Sequence, residues 1–243
     1  MDKLSSFIDQ YVAVWNEPDA QIRRRRIAAV WAPEGATCYR LLDARGYQAI
    51  ESRVAGSWDR WLRDGKFAFR AVKAVCHHQA IKLNFAMLAT DSGKVEANGL
   101  SYLLVAKDGR IVHDYQFNPS VDDAPDLATK YVACRDETDA ARRRTLIGEL
   151  WAENGALVSE IGEAHGRDEL ANTFAAAHRG RLAKNLVASA ADRSQHHHNV
   201  AHVGWHVAPR DGGAAIGAAS ALVIFNDDGW IDAAYEFNES KTA

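Results

Sequence analysis

The strongest constraint on this chain is that it is written twice. Tyr11 to Ala36 reads YVAVWNEPDAQIRRRRIAAVWAPEGA, and 120 residues later Tyr131 to Ala156 reads YVACRDETDAARRRTLIGELWAENGA. The offset then holds without drift. Gly46 meets Gly166, His77 and His78 meet His197 and His198, and Asp91 and Gly93 meet Asp211 and Gly213. Asp108-Gly109-x-Ile111 meets Asp228-Gly229-x-Ile231, and Tyr115-x-Phe117-Asn118 meets Tyr235-x-Phe237-Asn238. A constant shift means that both halves keep the same elements and loop lengths, and a unit of this size is a whole domain rather than a solenoid repeat. The expected organisation is a first domain over 1–118, a linker over 119–126 and a second domain over 127–243, the two paired as an intramolecular pseudo-dimer. Further oligomerisation stays open.

Within the first copy, Leu4, Phe7, Ile8, Tyr11, Val14 and Trp15 recur at three- and four-residue spacing, one face of a helix. Asn16-Glu17-Pro18-Asp19 breaks it, with Asp19 as N-cap of a second helix carrying Ile22, Ile27, Val30 and Trp31, which Gly35 is expected to end. A short extended piece, Ala36 to Leu42, leads to Gly46 and a third helix striped by Ile50, Val54, Trp58 and Trp61. From Phe67 the period is two. Phe67/Phe69, Ile81/Leu83/Phe85/Met87, Ser101/Leu103/Val105 and Ile111/Tyr115/Phe117 read as strands, turned at Asp91-Ser92-Gly93 and Asp108-Gly109. Three helices followed by an antiparallel meander is an α+β plan with helices on one face of a curved sheet.

Composition removes several function classes. With a net charge of -3 there is no broad basic field for nucleic acid, and the run Arg23 to Arg26 reads as a solvated helix face. No apolar run is long enough to span a membrane, and no signal-type segment precedes the first helix. The three cysteines, Cys38, Cys76 and Cys134, are odd in number and none falls at another's repeat position, which fits reduced thiols in a cytoplasmic protein. No glycine-rich phosphate loop, nucleophile elbow or Cys-x-x-Cys is present, so no cofactor is expected. No established zinc spacing is present either; His196 and His198 would share a strand face about 7 Å apart, but no metal is expected. The tryptophans follow the helical and strand stripes and read as core.

The order of helix, Asn-Glu-Pro-Asp break, Arg-rich second helix, Val-Trp-Ala-x-x-Gly and strands closing on Asp-Gly-Arg-Ile resembles the SnoaL-like group. That group belongs to the nuclear-transport-factor-2-like superfamily, which includes ketosteroid isomerase. The resemblance covers nearly the whole chain, twice. It implies two tandem cone-shaped domains in which a bent sheet wraps the helices around an apolar pocket for a small organic ligand. Ketosteroid isomerase-like members use a first-helix Tyr and a late-strand Asp as oxyanion donors, with an Asp after the second helix as base. The Tyr falls on Tyr11 and Tyr131. The base position falls on Tyr39 and Ser159, and the second Asp on Ser101 and Ala221, so both carboxylates are missing.

Asp114, Gln116 and Asn118 alternate along the last strand of the first copy, opposite Ala234, Glu236 and Asn238 in the second. Simple alternation turns Ile111, Tyr115 and Phe117 to the core, whereas the family alignment turns the polar set into the pocket, and both readings stay open. With the polar set inward, Asp114 beside Tyr11 is the base-and-donor pair, and Glu236 with Tyr131 its echo. His77 or His78 is the alternative base, since an imidazole needs little tuning to work near neutrality. Trp15, Tyr39, Ser101, Gln116 and Asn118 complete the expected ligand set. Replacement of Asp114 by Ala234 and of Trp15 by Arg135 in the second copy points to the first as the site. The function expected is cofactor-free proton transfer, as in an isomerase, cyclase or dehydratase. The alternative is a non-catalytic small-molecule or protein-binding module.

Overall fold

The computed structural model describes residues 3–118, 123–191 and 194–240. The chain divides into two compact units, Met1–Pro119 and Ser120–Ala243. Of the expected linker, residues 119–122 lie outside the described residues, and its last two belong to a helix that begins at Pro125.

In the first unit, α1 (Lys3–Asn16) buries Ile8, Tyr11, Val14 and Trp15, the stripe its spacing predicts. α2 (Ala20–Val30) starts where Asp19 accepts hydrogen bonds from the backbone N–H groups of Gln21 and Ile22. The basic run is not wholly a solvated face. Arg23 is buried, donating to the Glu17 and Pro18 carbonyls and pairing with Glu51 on α3 (Gly46–Trp61), while the other three arginines are exposed.

α2 ends at Val30 rather than at Gly35. Trp31 opens β1 (Trp31–Tyr39), followed after a tight turn by β2 (Leu42–Arg45). Gly35 is instead small to admit a neighbouring strand. There β1 passes so close to β6 (Ile111–Phe117) that a Cβ would lie 2.7 Å from the Ile111 carbonyl oxygen. Gly155 meets Ile231 in the same way in the second unit.

The remaining strands are β3 (Phe67–His77), β4 (Ala80–Ala89) and β5 (Val95–Val105). With β6 they form the expected antiparallel meander, but β1 joins β6 in parallel, giving the order β2-β1-β6-β5-β4-β3. The core lies between this sheet and the helices, with Val14, Ile27, Trp31, Ile50 and Val54 packed on Leu83, Leu103 and Ile111.

One irregularity decides which face of β6 looks inward. Leu104 pairs with His113 and Val105 with Ile111, so Val112 is an extra residue and the alternation slips by one. Ile111 and Asp114 therefore both face the helices, followed by Gln116, while Tyr115 and Phe117 turn to the other face, against His113 and Tyr102. The second unit repeats the slip: Ile224 pairs with Ala233 and Phe225 with Ile231.

That unit repeats the plan throughout. α4 (Pro125–Asp136), α5 (Ala140–Leu150) and α6 (Gly166–Leu182) cover a sheet of β7 (Trp151–Ser159), β8 (Gly162–His165), β9 (Leu186–Ala190), β10 (Gln195–His197), β11 (Val200–Pro209), β12 (Gly217–Phe225) and β13 (Ile231–Ser240). His198 is not on a strand beside His196 but in the following turn, with a positive φ of 53°. Among the described residues no cluster of three or more His, Cys, Asp or Glu side chains is placed to hold a metal, and no helix is long and apolar enough to cross a membrane.

Candidate functional site

The first unit encloses a cavity of about 330 Å³ between α1, α3 and the sheet. α1 contributes Tyr11, Val12 and Trp15. α3 contributes Arg53, Ser57 and Trp61, one turn apart on a single stripe. Tyr39 of β1 and Phe69, Phe85 and Met87 of β3 and β4 add apolar wall, and Gln116 and Asn118 come from the end of β6. The volume is at the small end of organic-ligand sites. Trp61 is 40% exposed and lies at the rim, so it is cavity wall rather than core.

Phe85 can lie flat against the sheet because its cross-strand partner is Gly99. A Cβ at Gly99 would stand 2.1 Å from the Phe85 ring. Gly99→Ala is therefore expected to push that ring into the cavity and cost about 1–3 kcal/mol of stability. Denaturant unfolding measures this, and an unchanged midpoint would show that the ring has other room.

Behind the cavity wall lies a buried polar network. The Tyr11 hydroxyl donates to Asp114 Oδ2 at 2.9 Å; Gln116 Nε2 and Thr37 Oγ1 donate to the same oxygen at 3.1 and 3.2 Å. The Tyr11 oxygen also lies 3.3 Å from Ser101 Oγ and from Gln116 Nε2. Asp114 is fully buried and its Oδ1 has no hydrogen-bond partner. Burial therefore pushes the carboxyl pKa up to about 6, against the pull of Tyr11, Gln116, Thr37 and Ser101. Burial, and then the Asp114 charge, hold the Tyr11 phenol well above its ordinary range. Asp114 does not itself line the cavity; its contact with that space runs through Tyr11 and Gln116.

Arg53, which the sequence reading missed, is the charged group on the wall. Its guanidinium lies 5.3 Å from the Trp15 ring centroid and 5.9 Å from that of Tyr39, and Nη2 donates to Gln116 Oε1 at 3.3 Å. Burial lowers its pKa. The available signal was the four-residue spacing Arg53–Ser57–Trp61 ending on a tryptophan. Thr37, also missed, carries no distinguishing pattern.

His77 and His78 are not part of this site. They close the far end of β3, eight residues beyond cavity-lining Phe69 and so roughly 26 Å along the strand. There their Nδ1 atoms lie 3.3 Å apart across a turn in which His78 has a φ of 50°. Of the other expected residues, Trp15, Tyr39, Gln116 and Asn118 line the cavity, and Ser101 is buried against Tyr11.

In the second unit, Tyr131 and Glu236 do meet: the Tyr131 hydroxyl donates to Glu236 Oε1 at 2.6 Å. The same oxygen takes an ion pair from Arg135, which stands where the first unit has Trp15. The Arg135 guanidinium is stacked 5.2 Å from the Phe174 ring and 4.8 Å from that of Trp205, where the first unit has Val54 and Phe85. Where the first unit has cavity-lining Trp15, the second thus has a neutralised cation beside two rings. Asp136, at the position of Asn16, ties α4 to Arg181, His178 and the Ala188 N–H, as Asn16 ties α1 to the backbone of Phe69.

No family model and no curated protein sequence matches the chain. Solved structures do. A SnoaL-like family protein from Agrobacterium tumefaciens is 27% identical over 47% of this chain and 96% of its own, with a TM-score of 0.44. A nuclear-transport-factor-2-like protein from Exiguobacterium is 15% identical over 47% of this chain and 99% of its own, with a TM-score of 0.39. A SnoaL-like protein from Burkholderia thailandensis is 12% identical over 49% and 98%, with a TM-score of 0.37. Each match takes about half of this chain and nearly all of the other, and the matched proteins are of the group that the sequence resembles.

Proposed function

We propose that the first unit is a chamber for a small, largely apolar organic molecule and that it performs cofactor-free proton transfer, of the kind that drives isomerisation, cyclisation or dehydration. The observation that carries this reading is the Tyr11 hydroxyl on the cavity wall, hydrogen-bonded at 2.9 Å to a buried carboxylate whose pKa is raised to about 6. An acid–base group works best with a pKa near the working pH, and burial supplies that here. Tyr11 is the group that touches the ligand. As its oxygen takes a proton from the ligand, its own proton passes to Asp114 Oδ2, and the reverse transfer returns a proton to a different ligand atom. No phenolate forms in isolation, which its raised pKa would oppose. Gln116 and Thr37 hold the carboxylate in place.

A binding module without turnover is the second reading. It is favoured by the position of Asp114 behind the wall, where it reaches a ligand only through another side chain. The two readings separate once a converted ligand is found by incubating the protein with a panel of small enolisable ketones and β-hydroxy carbonyl compounds. Tyr11→Phe and Asp114→Asn are each expected to lower turnover at least about tenfold while leaving binding nearly unchanged. Full turnover in both variants would remove proton relay from the mechanism, and binding without conversion of any compound would favour the second reading.

A further inference from the structure

We propose that the chamber selects ligands carrying a carboxylate and that Arg53 is the group that reads it. This inference rests on the first unit being a ligand chamber, but not on its being an enzyme.

The two units treat a guanidinium placed in the interior differently. In the second unit Arg135 is neutralised by Glu236, which also accepts from Tyr131, so charge is balanced from within. In the first unit the residue at the Glu236 position is Gln116. Arg53 donates to its neutral carboxamide oxygen at 3.3 Å, a long contact, and among the described residues no Asp or Glu forms an ion pair with Arg53. The nearest anion in the network is Asp114, whose Oδ2 is turned to Tyr11, Gln116 and Thr37 instead. Arg53 thus keeps a cation against an apolar wall with a neutral acceptor and two ring faces. Burial, the largest influence on it, opposes its charge, and the Asp114 charge favours it only from a distance, without an ion pair.

A carboxylate entering the chamber supplies the direct ion-pair partner that Asp114, hydrogen-bonded to Tyr11, Gln116 and Thr37, does not. Guanidinium and carboxylate match as a planar pair with two parallel hydrogen bonds, and exclusion of water by Trp15, Tyr39 and the ligand itself strengthens them. The rest of the wall, with Phe69, Phe85 and Met87, calls for an apolar body. The volume of about 330 Å³ limits that body to one or two rings. The ligand class is therefore a small aryl or alicyclic carboxylic acid, bound as its anion with the ring system toward β3 and β4. This orientation leaves the atoms near the carboxylate within reach of Tyr11, which shares Gln116 with Arg53.

The test uses matched pairs that differ only in charge: benzoate with benzamide, and 2-naphthoate with 2-naphthamide, titrated into the full chain by calorimetry at pH 7.5. The wild-type protein is expected to bind at least one carboxylate about tenfold or more tighter than its amide, the scale of a charge-assisted hydrogen bond. In Arg53→Met, which keeps an unbranched apolar stem without the guanidinium, that preference is expected to fall within about twofold. Arg53→Lys is expected to keep part of it, as a point charge without the planar match. Thermal melting of each variant confirms that it is folded. Equal binding of amide and carboxylate by the wild-type protein would overturn the inference while leaving the chamber intact. So would an undiminished preference in a folded Arg53→Met. Failure of both members of both pairs to bind would overturn the chamber reading and this inference with it.

Discussion

Glu236→Ala is expected to destabilise the protein by about 3–5 kcal/mol, the usual cost of removing one partner from a buried ion pair. The expectation follows from what remains. Arg135 is 7% exposed and held between the Phe174 and Trp205 rings, so it cannot reach water without breaking the packing of α4. The Tyr131 hydroxyl, also buried, loses its acceptor at the same time. Glu236→Gln keeps an acceptor for both groups but removes the charge, and is expected to cost less than the alanine variant. Arg135→Met combined with Glu236→Gln removes both charges and should recover most of the loss, because a buried pair adds little over an apolar filling of similar size. Denaturant unfolding of the wild-type protein, Arg135→Met, Glu236→Gln and the double variant measures the coupling. If the double variant is as unstable as the sum of its single variants, the charges are not coupled and the ion pair is not what fills this interior.

Asp114→Asn should act in the opposite direction, and its effect should depend on pH. The carboxyl pKa is about 6 in the folded protein against an ordinary 3.8, so between these values the folded state holds a proton that the unfolded chain has released. For such a group the contribution to stability is fully present below about pH 4 and is lost as pH rises through about 6. Above that range the buried charge costs on the order of 3 kcal/mol. An asparagine can still accept from Tyr11 without carrying the charge. The variant is therefore expected to gain stability over the wild-type protein at pH 8, by up to about 3 kcal/mol, and to gain little at pH 4. Subtracting wild-type from variant at each pH cancels the titration of groups elsewhere in the chain, provided they do not couple to this site. Arg53, the charged group closest to the network, stays protonated throughout. A stability difference that does not change between pH 4 and 8 would mean that Asp114 has an ordinary pKa, which would also remove its suitability as an acid–base group. If this variant is more stable yet slower, the buried charge is retained for function at the expense of stability.

Much of the architecture is written locally. The stripe from Leu4 to Trp15 and the cap at Asp19 set α1 and the start of α2. The alternation from Phe67 onward set the meander. Each of these depends on side chains a few positions apart, so a linear reading captures it. The end of α2 was misread because Gly35 is small for the sake of Ile111, which is far away in sequence and lies beside it through the parallel pairing of β1 with β6.

The site was legible in part for the same reason. Tyr11, Trp15, Tyr39, Gln116 and Asn118 could be named from position in the repeat and from the family resemblance. The inward face of β6 could not be settled, because one inserted residue, Val112, reverses what alternation implies. Arg53 was missed because only the packing of α1 and β1 brings Trp15 and Tyr39, distant in sequence, beside it.

The sequence by itself determined that there are two similar α+β units and which helix carries the tyrosine of each, since repetition and periodicity need no knowledge of what packs on what. Only the tertiary structure decided that Arg53 borders a cavity in one unit while Arg135 in the other is paired with Glu236. Whether a buried charge is answered from within or left for a ligand depends on which side chains from distant elements converge on it, and a chain read in one dimension does not contain those distances.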